Sequence, residues 1–292
     1  MSSGLKRVTA ALIWLPAVLA PQIYASDHSD APQAAGLVRQ DANLSDLHAF
    51  VVGPNLVLSL CSNVAIPLSA TSYVFPTDVT FEINLDVDSA VSPADPFGDG
   101  GTILNPERIS EDIVFRIRFR ADGSAQVQRI VKGTVQGDPH LVSFFAGLRD
   151  DPFIRGLRQG RNIAAVVLEV PLSAVLSGQS TILIWATSKV EDFDGPFQDL
   201  VGRSLRSMFP ENDALNKMHP RQHLRRAGAR PDVMIYNTAL PAAFPNGRAL
   251  TDDVIDLVGD PRTLANDAPF PSTNDIPFLT TFPYLAPPHP AP

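Results

Sequence analysis

Residues 113–120 alternate without a break. Phe115, Ile117 and Phe119 fall on one side and Arg116, Arg118 and Arg120 on the other, the period of a β-strand with one buried face. Residues 79–88 repeat the pattern. Val79, Phe81, Ile83, Leu85 and Val87 alternate with Thr80, Glu82, Asn84, Asp86 and Asp88. One polar face is cationic and the other acidic, which suits an antiparallel pair with charge partners across the strands. Ala121-Asp122-Gly123-Ser124 separates 113–120 from 126–132, and Asp-Gly between two alternating runs predicts a hairpin. Further strands are expected at 47–52, 56–61, 163–170, 182–187 and 233–237. The chain also carries 18 glycines and 27 prolines, a density that excludes a long helical bundle or coiled coil. The predicted fold class is mainly β, an antiparallel sandwich-like or meander sheet domain with a few short helices and long loops.

Three helices are expected. At 196–208, Pro196 fits the first helical position and Phe197, Leu200, Val201, Leu205 and Met208 share a face. At 251–258, Thr251 is the N-cap, Asp252 and Asp253 occupy the first turn, and Gly259 and Pro261 end the helix. Asp151-Pro152 opens a short one through Leu157. Residues 89–107 read as a turn-rich loop. The tail 269–292 holds eight prolines, so it is neither a regular helix nor an inner strand. Its Phe270, Phe278, Leu279, Phe282, Tyr284 and Leu285 predict that it wraps and packs on the body. No internal repeat divides the chain.

Lys6 and Arg7 precede an uncharged, mostly apolar run at 8–20, and Ile23-Tyr24-Ala25 follows. This reads as a signal peptide, 1–25, cleaved after Ala25. The run is too short to span a bilayer, which needs about 20 residues. The expected product is a single β-rich domain, 26–292, periplasmic or secreted, with no membrane span after cleavage. Cys61 is the only cysteine, so no internal disulfide can form. It reads as a buried small hydrophobe in a strand. A formal net charge of −8 argues against a nucleic-acid surface.

Three constellations could carry metal chemistry. Asp27-His28-Ser29-Asp30 begins the mature chain. The free amine, two backbone nitrogens and the His28 imidazole suit a square-planar Cu(II) or Ni(II) site; a bound cation with His28 as nitrogen ligand and Asp30 as oxygen ligand is a second reading. The same residues also suit a purely protein network, Asp30 accepting from backbone amides or an arginine. The acidic face Glu82, Asn84, Asp86 and Asp88, followed by Asp95 and Asp99, offers the oxygens that Ca²⁺ takes, although the spacing is not that of an EF-hand loop. His219-x-x-x-His223 has metal-ligand spacing on a helix, but Lys217, Arg221, Arg225 and Arg226 crowd it with positive charge, and a basic surface loop is expected. There is no nucleophile elbow, Walker loop or dinucleotide fingerprint.

Several segments carry a resemblance: Asp27-His28-Ser29-Asp30-Ala31-Pro32, Ser45-Asp46-Leu47-His48-Ala49-Phe50, Phe81-Glu82-Ile83-Asn84-Leu85-Asp86-Val87-Asp88, Phe145-Ala146-Gly147-Leu148-Arg149-Asp150-Asp151-Pro152-Phe153 and Phe244-Pro245-Asn246-Gly247-Arg248-Ala249-Leu250-Thr251-Asp252-Asp253-Val254. In these, and in their order along nearly the whole mature chain, the sequence resembles the bacterial family called domain of unknown function 4331. The resemblance implies an exported, β-rich bacterial protein and implies no activity. The expected function is therefore a binding or structural role in the cell envelope, with a calcium or transition-metal ion as the candidate cofactor. The alternative is an exported metal-dependent enzyme using His28, His48 and Asp86 or Asp88 as ligands. The catalytic residues, the ligand and the protein partner are not legible.

Overall fold

The computed structural model describes residues 39–154, 160–176, 178–191, 199–204, 213–258 and 268–291. Among these the strands, numbered along the chain, are β1 Leu44–Val52, β2 Asn55–Ser62, β3 Val79–Asp86, β4 Val91–Ser92, β5 Thr102–Ile103, β6 Ile113–Phe119, β7 Ala125–Val131, β8 Thr134–Val135, β9 Ser143–Asp150, β10 Asn162–Pro171, β11 Thr181–Val190, β12 Asp199–Val201 and β13 Met234–Asn237. The protein is mainly β, its pairings are antiparallel, and its helices are short.

The two alternating runs lie side by side as β3 and β6. Arg116 stands opposite Glu82 and its Nε donates to the carboxylate at 2.6 Å; Arg118 Nε donates to Thr80 Oγ1 at 2.9 Å. The Asp122-Gly123 turn joins β6 to β7, with Gly123 at φ 80° and Phe119 opposite Ala125. Cross-strand charge pairing and turn chemistry thus fix the register.

Two sheets result. The smaller has the order β1-β2-β10-β9. The larger runs β12-β11-β3-β6-β7-β8, with β13 also pairing β11. Their facing sides share one core, in which Leu47, Leu58, Leu60, Val166 and Leu168 meet Phe81, Ile83, Phe115, Ile117 and Ile184. This is the two-layer solution for sheets with one apolar face each.

The smaller sheet also buries its second face. Val57, Cys61, Ile163, Ala165 and Val167 pack against Leu250, Leu285 and the half-buried Phe278, Phe282 and Tyr284. The proline-rich tail therefore lies on the body from Phe278 to Leu285, while Phe270 stays 42% exposed. β10, apolar on both faces, is buried from Asn162 to Val170.

The helical expectations need correction. Within 196–208, residues 199–201 form strand β12. Leu200 joins the outer cluster of the larger sheet and Val201 the central core, the opposite-facing pattern of a strand. Residues 196–198 and 205–208 lie outside the described residues. The helix expected at 251–258 spans only Val254–Val258. Asp253 caps it through Asp256 N at 3.1 Å, while the Asp252 carboxylate takes Phe244 N and Ala249 N at 2.9 and 2.8 Å. Asp252 is thereby held outside the first turn. Residues 151–154 are not helical, and Asp151 Oδ1 accepts instead from Phe153 N at 3.1 Å. The basic stretch expected as a loop is the helix Pro220–Ala227, capped by His219 and closed by Gly228 at φ 64°. Residues 1–38, with the signal peptide, His28 and Asp30, lie outside the described residues. No helix among the described residues is long and apolar enough to cross a membrane.

Candidate functional site

The acidic face of β3 ends in a cluster. Asp86, Asp88 and Asp112 bring carboxylate oxygens within 4.8 Å of one another. Asp86 is fully buried and already engaged. Its Oδ1 accepts from Asp88 N and Ser89 N at 3.3 and 2.8 Å, and its Oδ2 from Ser89 Oγ and Ser110 N at 2.7 and 3.0 Å. Asp112 Oδ2 accepts from Val87 N at 2.9 Å. Burial pushes Asp112 above the usual carboxylate range, opposed by that amide. Lys132 Nζ stands 3.4 Å from Asp88 and 3.5 Å from Asp112, so an ammonium supplies the local positive charge. The other acids of the expected calcium face are also committed. Asp95 accepts from Asp99 N and Gly100 N at 2.7 and 2.8 Å, and Asp99 pairs with Arg203 and Arg230.

His48 lies in the other sheet, on β1, and joins neither group of metal-ligating side chains found among the described residues. It is fully buried on the face that carries Asp46. Both ring nitrogens lack hydrogen-bond partners, and burial, then the Arg248 charge, holds the ring well below its ordinary pKa. The ring is a neutral filler between β1 and the overlying chain. Both histidines at the helix Pro220–Ala227, the cap His219 and the internal His223, are occupied. His219 Nδ1 accepts from Arg221 N at 3.1 Å, which leaves the ring proton on Nε2, 2.7 Å from Glu111. His223 Nδ1 accepts from Asp232 N, and Nε2 faces the carbonyls of Leu215 and Met218 at 3.1 and 3.0 Å.

A second cluster has a different composition. Asp150 ends β9, and Asp275 and His289 come from the tail; their ligand atoms lie within 4.8 Å of one another. His289 Nε2 is 2.9 Å from Asp150 Oδ1 and 3.3 Å from Asp275 Oδ2. Asn274 Nδ2 donates to Asp150 Oδ2 at 2.5 Å, and Gly160 N to Asp275 Oδ2 at 2.6 Å. Asn162, the register partner of Asp150 on β10, fixes the histidine backbone: His289 N donates to its Oδ1 at 2.8 Å, and its Nδ2 donates to His289 O at 3.3 Å. Each member of the triad is therefore held by a second contact.

Asp150 is 1% exposed. Burial pushes its carboxyl up to about 8; Asn274 lowers it, and the charges of Asp275 and Asp151 raise it again. It thus keeps its proton near neutrality unless a cation replaces that proton. Two carboxylates and an imidazole are a mixed oxygen and nitrogen set. Ligands at ~2.0–2.2 Å from a tetrahedral ion sit roughly 3.3–3.6 Å apart; the 3.3 Å from His289 to Asp275 matches that, and the 2.9 Å from His289 to Asp150, a hydrogen-bond distance, would open slightly around an ion. Nitrogen in the set favours a first-row transition ion over Ca²⁺, which takes six to eight oxygens.

The sequence offered no signal for this cluster. Arg149-Asp150-Asp151 has the composition of a turn, and Asp275 and His289 stand in a proline-rich tail without ligand spacing. No family model, no curated protein and no solved structure matches the chain.

Proposed function

We propose that the protein is an exported binding protein of the cell envelope, a β-sandwich that holds a first-row transition-metal ion at Asp150, Asp275 and His289. The ion fastens the tail to the end of β9. The observation that carries this reading is the convergence of the three ligand atoms within 4.8 Å, one carboxylate being buried and reluctant to ionise alone. Binding a cation there releases a proton and removes that reluctance. Export rests on the charged, then apolar, N-terminal run and on the resemblance to domain of unknown function 4331, which is proposed as the family. The acids of the Asp86 cluster have a structural role in this reading, closing the β3 turn against Lys132.

The test is metal analysis of purified chain 26–292, with melting curves before and after chelation. One equivalent of bound metal and a lower Tm on chelation are expected, and both should vanish in Asp150→Asn and His289→Ala. A metal-free protein whose Tm ignores Zn²⁺, Ni²⁺ and Mn²⁺ would show that the triad is only an ion-paired network.

A further inference from the structure

The chain has a net charge of −8, yet from 214 to 231 it holds five cations and no acid. The helix Pro220–Ala227 lies in this stretch. Arg230, beyond the helix, pairs with Asp99 at 2.9 Å. Arg221, Arg225 and Arg226 stand exposed on the helix itself, and among the described residues no side-chain hydrogen bond or ion pair reaches them. Glu111 feels the Arg221 charge, but its contact is the 2.7 Å one with His219.

The placement of these arginines works against the helix. Arg225 and Arg226 occupy the last turn, where positive charge suits the helix dipole. Arg221 occupies the first turn, where positive charge opposes it, and Arg225 repels Arg221 from one turn away. Leu224 lies among them and is 51% exposed. Pro220 and His223 form the buried side of the helix, so Arg221, Leu224 and Arg225, spaced i, i+3 and i+4, share the outward side. A surface that breaks local rules without a compensating contact is expected where it serves something outside the chain.

Three guanidinium groups without carboxylate partners ask for negative charge. Leu224 narrows its source. The phosphates of a soluble polyanion bond guanidinium groups but have no use for an isobutyl group between them. The surface of an anionic bilayer takes both, phosphates at the headgroups and the apolar side chain at the acyl boundary. We infer that this helix face docks the protein on an anionic phospholipid surface, with Arg221, Arg225 and Arg226 on headgroup phosphates and Leu224 at the acyl boundary. In physiological salt the field of a charge fades within about 8 Å, so the local face decides and not the net charge of the chain. Each arginine near such a surface is worth about fivefold in affinity, and the three together about a hundredfold. The attachment is therefore weak and reversible.

The docking face is separate from the Asp150 cluster, and neither depends on the other. Flotation of chain 26–292 with vesicles of phosphatidylcholine and phosphatidylglycerol, 2:1, tests it. Vesicles of phosphatidylcholine alone and a short DNA duplex, as a soluble polyanion, serve as controls. The mixed vesicles should hold half of the protein at about 1 mM lipid in 20 mM NaCl and release it in 500 mM NaCl. Phosphatidylcholine alone should hold none. The triple variant Arg221→Gln, Arg225→Gln, Arg226→Gln keeps good helix formers on an exposed face. Its Tm should match that of the parent while its vesicle binding falls at least tenfold. Leu224→Gln should weaken vesicle binding about fivefold and leave any duplex binding as it is. No binding of the mixed vesicles in 20 mM NaCl, equal binding of both vesicle types, or undiminished binding by the triple variant would overturn the inference. So would a duplex that binds more tightly than the vesicles and ignores Leu224→Gln, because the face would then serve a soluble polyanion.

Discussion

Asp46 and Arg248 stand 202 positions apart and meet in a 3.0 Å ion pair with side chains 0% and 1% exposed. Charges taken this far out of water are tolerated only with their partners in place. The pair joins β1 to the segment that crosses its outer face, beside an antiparallel bridge in which Ala49 N donates to Arg248 O and Arg248 N to Ala49 O, both at 3.1 Å.

Removing one partner should be far worse than removing both. Asp46→Ala or Arg248→Ala alone should each cost about 3–5 kcal/mol, because one buried charge is left uncompensated. The double variant Asp46→Leu with Arg248→Met should recover part of that loss. Urea unfolding of the two singles and the double gives the coupling. Strictly additive losses would contradict a direct pair.

His48 tests the same face from the other direction. Its ring makes no hydrogen bond, so His48→Phe should change stability at pH 8 by no more than about 1 kcal/mol. The acid side should differ more. The folded ring resists protonation, while the unfolded chain takes a proton as pH falls through about 6.5. The stabilising contribution is therefore present above that pH and lost below it, by up to about 1.4 kcal/mol per pH unit. Unfolding curves at pH 7.5 and 5 should show a smaller acid loss in His48→Phe. Equal losses would mean that the ring titrates freely.

Gly247 has no room for a side chain. Its φ is +69°, and a Cβ would stand 2.7 Å from Tyr236 Cδ2 and 2.9 Å from Ala49 O. Left-handed backbone costs other residues ~1–2 kcal/mol before any clash. Gly247→Ala should lose roughly 2 kcal/mol or more and loosen the Ala49–Arg248 bridge. Hydrogen exchange at Ala49 N reads the second effect, and unchanged protection there would contradict it.

The tail can be followed through Cys61, which is fully buried on the face that the tail covers. Burial also pushes its thiol well above the ordinary pKa. Truncation after Ala268 should lower Tm and make the thiol react with an aromatic disulfide reagent under native conditions. An unchanged melting curve with a silent thiol would mean that the tail does not seal the sheet.

The strands with clean alternation were legible because side-chain period alone decides them, as in 79–88 and 113–120. β9 was not. Gly147 interrupts its run, and Arg149-Asp150-Asp151 has the composition of a turn, so only pairing with β10 makes it a strand. Leu200 and Val201 are a short apolar pair that fits a helix face as well as a strand, and pairing with β11 decided between them. The helix Pro220–Ala227 carried its end signals, Pro220 and Gly228. It lacked an apolar stripe, because its buried side is built from Pro220 and His223. The Asp150–Asp275–His289 cluster joins a strand end to a tail, and Asn274 reaches Asp150 across 124 positions. No local spacing encodes such a meeting. The acidic run at Asp86 and Asp88 was visible for the opposite reason, that its members are neighbours, and its oxygens turn out to serve the β3 turn.

The Asp46–Arg248 pair also sets a clock. When Asp46 is added to the growing chain, the arginine that neutralises it is 202 residues from being made. At ~5–20 residues per second that is about 10–40 s. Throughout that interval β1 cannot bury its outer face without stranding a carboxylate. The strands of the smaller sheet can pair, but the face of β1 that carries Asp46 stays in water. The last step of burying that face therefore waits for the segment that brings Arg248.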